Sequence, residues 1–139
     1  MIVGILLPLW VVLAMLGTTL GLTSDQASGK NVYISTERVV SSSNPNFFLT
    51  GMACDRQLFP DGGAGWFDQR CGQVPDGTAI LYWHNVDPAV YGPGYLLYVL
   101  RHEVEHLLRG RDGPPNDVNN EAAAEAAGCA VSPGWWCGW

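Results

Sequence analysis

The stretch that most constrains this chain is residues 95–109, where leucine and valine recur at spacings of three and four residues. Such a stripe predicts a helix with one face buried in a core. Pro93 precedes the stretch and fits the first turn of a helix, and Gly110 ends it. His102 and His106 lie four residues apart in this helix. Their side chains therefore lie on the same helix face, one turn apart.

Two imidazoles with this spacing can bind one zinc ion. Glu103 follows His102 directly, and its carboxylate can take a proton from a water molecule that the metal activates. The pattern His102-Glu103-x-x-His106 resembles the zincin metallopeptidases. The resemblance implies Zn²⁺ as the cofactor, a peptide or protein as the substrate, and Glu103 as the catalytic residue. The alternative is an amphipathic helix whose histidines are ordinary surface residues.

A catalytic zinc needs a third protein ligand. Residues 121–127 are rich in alanine, which predicts a second helix, and Glu121 and Glu125 share one face of it. Asn120-Glu121-x-x-x-Glu125 resembles the gluzincin, thermolysin-like branch of the zincins. The resemblance implies Glu121 as the third metal ligand and Glu125 as an acceptor for the free N–H of a ligating histidine. The gap of fourteen residues between His106 and Glu121 is short for that branch, and it is similar to the compact ImmA/IrrE-type peptidases.

Asp112 is the alternative third ligand, because it lies six residues after His106, which is the offset of the third ligand in metzincins. The metzincin pattern has a glycine where this chain has Arg109, and no methionine follows the helix. We therefore expect Glu121 to be the ligand. The resemblance covers residues 96–133, under a third of the chain. A second interpretation stays open, namely a non-catalytic, disulfide-rich extracytoplasmic binding or structural module with a structural zinc on a zincin-like scaffold.

The N-terminal segment has no charged side chain over residues 2–22 and is rich in Leu, Val and Ile. A helix of this length, at about 1.5 Å per residue, spans the roughly 30 Å hydrocarbon core of a bilayer. We expect a transmembrane anchor over residues 1–23, with a cleaved signal peptide and a buried core helix as alternatives. A linker over residues 24–30 and a zincin-like domain over residues 31–139 follow. The net charge of −6 and the scattered Lys and Arg residues argue against nucleic acid as a partner.

The chain has four cysteines, Cys54, Cys71, Cys129 and Cys137. None of them forms a Cys-x-x-Cys pair, so their spacing does not match a zinc knuckle. An even number behind a hydrophobic leader predicts two disulfides in an oxidising compartment. We therefore expect a domain that is anchored outside the cytoplasm or secreted. Sequence order favours Cys54–Cys71 and Cys129–Cys137, although two other pairings stay open.

Three stretches predict strands. Residues 31–40 are rich in β-branched side chains, residues 47–49 are a short second candidate, and residues 78–83 form a continuous apolar run. We expect the last strand or its neighbour to be the sheet edge at which a peptide substrate adds itself. His84 follows this strand and is a candidate for stabilising the transition state. The fold class that results is α+β, a small and mostly antiparallel sheet with two helices that hold zinc between them.

The chain ends with Trp135, Trp136 and Trp139 within five residues. Such a cluster can stack on a sugar or lie at a membrane interface. We expect it instead to pack over a small domain, fixed by a disulfide.

Overall fold

The structure is a computed structural model that describes residues 4–8, 30–40, 48–54, 70–109 and 118–138. Within these residues, one four-stranded sheet is packed against helices, with two disulfides. This arrangement confirms the α+β fold class.

The four described strands are β1 Gly4–Pro8, β2 Asn31–Ser35, β3 Gly51–Cys54 and β4 Thr78–Tyr82. Their order across the sheet is β1-β2-β4-β3. β2 and β4 are parallel, whereas the β1–β2 and β3–β4 pairs are antiparallel. The sheet is therefore mostly antiparallel, as predicted. The β2–β4 pair is the exception. β3 lies between β2 and β4 in sequence, but in the sheet it pairs with the other side of β4, so β2 and β4 become parallel neighbours.

β4 is the central strand of the core, and all five of its residues are buried. Leu81 packs on the face that carries the helices, while Ile80 and Tyr82 pack on the opposite face. This alternation follows from the two-residue period of a strand, and burial on both faces explains the continuous apolar run. The strand predicted at residues 78–83 is thus confirmed. It is not an edge strand; its neighbour β3 is the edge of the described sheet on that side.

The described helices are α1 Trp83–Val86, α2 Pro88–Tyr91, α3 Pro93–Arg109 and α4 Val118–Val131, followed by a 3₁₀ turn at Trp135–Cys137. α3 buries its apolar stripe against the sheet, as its periodicity predicts. On α3, Glu105 pairs with Arg101 at 2.7 Å and with Arg109 at 3.0 Å. These i, i+4 pairs keep most of the Glu105 side chain covered, so it is more than a plain surface charge.

α4 lies directly against α3 because small residues form its contact face. Ala124 is fully buried, and Gly128 lies one helical turn further on. A Cβ at Gly128 would lie 2.8 Å from both the Cδ1 atom and the carbonyl oxygen of Tyr98. Only glycine permits this approach without displacement of a neighbour. The close approach lets the short carboxylate side chains of α4 reach the histidines of α3.

The two disulfides are Cys54–Cys71 and Cys129–Cys137. The pairing favoured by sequence order is confirmed. Cys54–Cys71 ties the end of β3 to the chain that precedes β4, and Cys129–Cys137 ties the 3₁₀ turn to the last turns of α4. Such bonds indicate a chain that folds in an oxidising compartment.

The N-terminal segment differs from the prediction where it is described. Gly4–Pro8 forms β1, which pairs antiparallel with β2 rather than forming part of a helix. Gly4 and Pro8 both disfavour a helix interior, and the neighbouring strand supplies hydrogen-bond partners for the backbone. No helix in the described part of the chain combines the length and the apolar character needed to cross a membrane. Residues 9–29, which carry the rest of the predicted anchor and most of the linker, lie outside the described residues.

Candidate metal centre

Two histidines of α3 lie side by side on the face that meets α4. The ring centroids of His102 and His106 are 5.1 Å apart. Both side chains are mostly buried, with 13% and 14% of their surface exposed. Their four-residue spacing places them on one helix face, as predicted.

Glu121, in the first turn of α4, directs its carboxylate at both rings. One oxygen lies 2.8 Å from His106 Nε2, and the other lies 3.6 Å from His102 Nε2. Hydrogen bonds from these two histidines hold the pKa of Glu121 well below its ordinary value. Burial lowers the pKa of His102, but the hydrogen bond to Glu121 and the surrounding carboxylates raise it by more, so the net change is upward.

The spacing of these three side chains fits a metal ion. One donor atom from each of His102, His106 and Glu121 lies within 4.8 Å of the other two. Donors around a tetrahedral zinc ion, each about 2.0–2.1 Å from the metal, lie about 3.3 Å from one another. The two carboxylate–imidazole distances of 2.8 and 3.6 Å lie on either side of that value. The three residues predicted as ligands therefore form a group that can hold a metal ion.

Glu125 lies one turn beyond Glu121 and contacts the other nitrogen of His102. Its Oε1 atom is 3.1 Å from His102 Nδ1, and the hydroxyl of Tyr98 donates a hydrogen bond to the same oxygen. His102 Nδ1 is buried and makes no regular hydrogen bond in the described structure. Burial and the adjacent Glu125 raise the pKa of Tyr98, so the hydroxyl stays protonated as a donor. The Glu125 oxygen thus lies between the Tyr98 hydroxyl, which it bonds, and the His102 ring nitrogen, which it approaches.

Glu103 lies against the edge strand β3 of the sheet. The backbone N–H of Ala53, in β3, donates a hydrogen bond to its carboxylate. A Cβ at Gly51 would lie 2.9 Å from Glu103 Cγ, so a glycine there lets α3 approach β3 this closely. Burial raises the pKa of Glu103, and the two neighbouring histidines offset that rise only in part. A carboxylate with a raised pKa beside a metal-binding group has the properties of a general base.

A cavity of about 440 Å³ opens beside these side chains. α3 lines its length, residues 48–51 lie on the side of β3, and α4 and the C-terminal turn lie opposite. Glu103, Glu121 and Glu125 border it where His102 lies, and aromatic side chains border it near the start of α3. The metal-binding group therefore opens into a space large enough for a ligand.

One predicted site residue, His84, is not among the described residues of this centre, and another, Asp112, cannot be placed relative to it. His84 lies exposed in α1 and is not among the described residues that line the cavity. Asp112, the alternative third ligand, lies outside the described residues.

Two described residues make contacts at the centre that were not predicted. Tyr98 precedes His102 by four residues, so the same helical periodicity that pairs the histidines places it on their face. That signal was present in the sequence. Gly51 gave no comparable signal, because its role depends on how closely α3 and β3 pack.

Comparison of the chain with models of known protein families, with curated proteins and with solved structures finds no match.

Proposed function

We propose that this chain is a zinc-dependent peptidase, with His102, His106 and Glu121 as the metal ligands and Glu103 as the general base. The observation that carries the proposal is the convergence of three donor atoms within 4.8 Å of one another. Two imidazoles and one carboxylate are a donor set of catalytic zinc sites. A bound zinc ion supplies Lewis acidity, which polarises a carbonyl group and makes water a nucleophile near neutral pH.

Each residue of the centre then has a chemical task. Glu103 takes a proton from the attacking water and delivers it to the amine that leaves. Glu125 accepts the Nδ1–H of His102, which keeps Nε2 free to bind metal. β3 is the edge of the described sheet beside the cavity, so an extended peptide can add to it through its outward backbone groups other than the Ala53 N–H, which donates to Glu103. These roles agree with the resemblance of the sequence to gluzincins and to ImmA/IrrE-type peptidases.

We further propose that the domain acts outside the cytoplasm, in an anchored or a secreted form. The two disulfides support an oxidising compartment. Peptides and proteins of that compartment are then the substrates. Intact-mass measurement of the mature protein tests this proposal, because it reports both the N-terminal residue and the two disulfides. Four free thiols in the mature protein would contradict it.

The alternative function is a binding or structural module in which zinc only stabilises the fold. A structural zinc site closes its fourth position with another protein ligand, whereas a catalytic site leaves it open. The described donors are three, and two of them, His102 and Glu121, border a cavity. This arrangement favours the catalytic proposal.

Zinc content of the purified, oxidised full chain tests the metal site. We expect about one zinc per chain, lost or much weakened in Glu121→Ala and retained in Asp112→Ala. Glu105→Ala is the matched control, since Glu105 is also a helical carboxylate but pairs with Arg101 and Arg109 instead of the histidines. Absence of zinc from a correctly oxidised wild type would overturn the proposal.

Cleavage of a generic unfolded protein, with and without a chelator, tests the activity. Glu103→Gln should bind zinc as the wild type does and lose cleavage, because an amide cannot accept the proton. Full zinc occupancy without cleavage of any substrate would favour the structural module. Retained cleavage in Glu103→Gln would remove Glu103 from the mechanism.

A further inference from the structure

An aromatic wall, formed by Tyr95, Trp135 and Trp136, borders the cavity near the start of α3, and Phe48 lines the cavity from the side of β3. The ring of Tyr95 stacks on Trp135 at 5.3 Å between centroids and lies 5.4 Å from Trp136. Trp135 and Trp136 also contact each other edge to face at 5.4 Å. Such offset and tilted contacts are the favourable geometries of aromatic pairs. The wall is therefore one packed surface rather than a set of separate rings.

The C-terminal part of the wall is fixed by several bonds. The indole N–H of Trp136 donates to the Ser132 carbonyl at 2.8 Å, and the Ser132 hydroxyl donates to the Gly94 carbonyl at 2.7 Å. The Cys129–Cys137 disulfide closes the same turn. The two tryptophans thus occupy a defined position at the start of α3, and their geometry is built before any ligand arrives.

The wall and Phe48 leave large aromatic surfaces uncovered. Trp135 is 68% exposed and Phe48 is 50% exposed, and both line the cavity. Trp136 packs over the domain as the sequence predicts, whereas Trp135 contacts Tyr95 and Trp136 but leaves most of its surface exposed. Contiguous exposed apolar surface marks ligand or partner sites in soluble domains.

The distance between the wall and the metal centre sets a length for the ligand. Tyr95 precedes His102 by seven residues on α3, which is about 10 Å at 1.5 Å per residue. An extended peptide advances about 3.3 Å per residue. A peptide whose reacting bond lies beside Glu103 therefore brings a side chain about three residues away against the wall.

The charge of the cavity indicates which side chain fits. Its described lining includes Glu103, Glu121 and Glu125 and contains no lysine or arginine. Three carboxylates exceed the two positive charges of a zinc ion, so an acidic side chain is repelled. At the wall the lining is aromatic, which favours an apolar ring in offset or edge contact.

We propose that the aromatic wall is a substrate subsite for an aromatic side chain, about three residues from the peptide bond that is cleaved. The proposal rests on the proposed function, because it takes a peptide as the ligand. Burial of one aromatic side chain at the wall should tighten peptide binding about ten- to hundredfold.

The experiment measures binding by titration calorimetry to the zinc-loaded full chain carrying Glu103→Gln. The probes are alanine octapeptides with blocked termini, in which a single phenylalanine occupies each position in turn. A second series carries glutamate in place of the phenylalanine and serves as the charged comparison. The same series is measured with Trp135→Ala added. Val90→Ala is the matched control, because Val90 is 69% exposed and does not line the cavity. Cleavage of the same peptides by the wild-type chain is measured separately.

We expect one phenylalanine position to bind at least tenfold more tightly than the all-alanine peptide, and glutamate at that position to bind more weakly than phenylalanine, because the described lining has no lysine or arginine to pair with it. Trp135→Ala should reduce the phenylalanine preference to within about threefold, and Val90→Ala should leave it unchanged. Equal binding at all positions, or a preference that survives Trp135→Ala, would overturn the subsite. Preferred binding of a neutral oligosaccharide, lost in Trp135→Ala, would overturn it in favour of carbohydrate.

The two measurements keep this inference separate from the peptidase proposal. Selective binding without cleavage of any peptide would support the subsite and contradict the peptidase function. Cleavage without selective binding would support the peptidase function and contradict the subsite.

Discussion

The contact of Glu125 with His102 leads to the prediction that the structure defines most closely. Glu125→Ala removes the acceptor that lies 3.1 Å from His102 Nδ1. Partners of this kind typically contribute 10- to 100-fold to metal affinity. At about 1.4 kcal/mol for each factor of ten, the expected loss is about 1.4–2.8 kcal/mol of zinc-binding free energy. The ligands themselves are unchanged, so the site should weaken without disappearing.

Tyr98 should act on the metal through Glu125. Tyr98→Phe removes only the hydroxyl that donates to Glu125 and keeps the ring that packs against α4. Because the carboxylate still reaches His102, we expect a smaller loss, about three- to tenfold in zinc affinity. In a Glu125→Ala background the same substitution should have almost no effect, since the hydroxyl then has no carboxylate to orient.

Competition with a chromogenic zinc chelator at fixed pH measures all four members of this double-mutant cycle. Tyr91→Phe is the matched control for the lost hydroxyl, because Tyr91 contacts Tyr95 and is not among the described cavity-lining residues. Additive losses from Tyr98→Phe and Glu125→Ala would show that Tyr98 acts independently of Glu125. Unchanged zinc affinity in Glu125→Ala would refute the positioning role altogether.

Three other perturbations test the assembly of the centre. Gly128→Ala normally stabilises a helix by about 1 kcal/mol, but its Cβ would lie 2.8 Å from Tyr98, so we expect a lower urea midpoint and weaker zinc binding. In the metal-free chain, the raised pKa of His102 means that protonation of this ring stabilises the fold. This contribution is complete at pH values below the ordinary pKa of 6.5, and it is lost as the pH rises through the pKa in the folded state. The lowered pKa of Glu121 means that its carboxylate form stabilises the fold. This contribution is complete at pH values above the ordinary pKa of 4.5, and it is lost as the pH falls through the pKa in the folded state. The free energy of unfolding in urea should therefore be highest between pH 4.5 and pH 6.5. Replacing Cys129 and Cys137 by serine should lower the free energy of unfolding in urea by about 2.5 kcal/mol, and it should weaken binding of the phenylalanine peptides. For each of these three perturbations, an unchanged measurement would contradict the expectation.

Local periodicity explains why α3, β4 and both helix faces of the centre could be predicted from the sequence. A repeat of three and four residues fixes which side chains of α3 are buried, and the same repeat puts His102 and His106 together. The pairing of Cys54 with Cys71 and of Cys129 with Cys137 was also recoverable, because each bond joins neighbours in the order of the cysteines. These features depend on residues that are close in sequence.

Long-range packing explains what the sequence did not reveal. β3 has the sequence Gly51-Met-Ala-Cys54, without a β-branched or aromatic residue, and it forms a strand because it pairs with β4. Residues 47–49 were predicted as a strand instead; of these, residues 48 and 49 are described, and they carry an isolated bridge between Val40 and Phe48 rather than a strand. The buried amide of Asn85 donates to the carbonyls of Val39 and Leu49. That contact fixes the segment ahead of β3, and no local pattern predicts it.

The small residues of α4 contribute both to the local periodicity of the sequence and to the long-range packing of the fold. Glu121 and Glu125 alternate along the helix with Ala124 and Gly128, so the carboxylates and the contact surface lie side by side. A bulkier residue at Gly128 would move α4 away from Tyr98, and the carboxylates would move with it. The alanine-rich composition that predicts a helix is therefore also what allows the carboxylates to reach the histidines. Metal binding and helix packing depend on the same few side chains, so a change that loosens α4 should lower zinc affinity before it unfolds the domain.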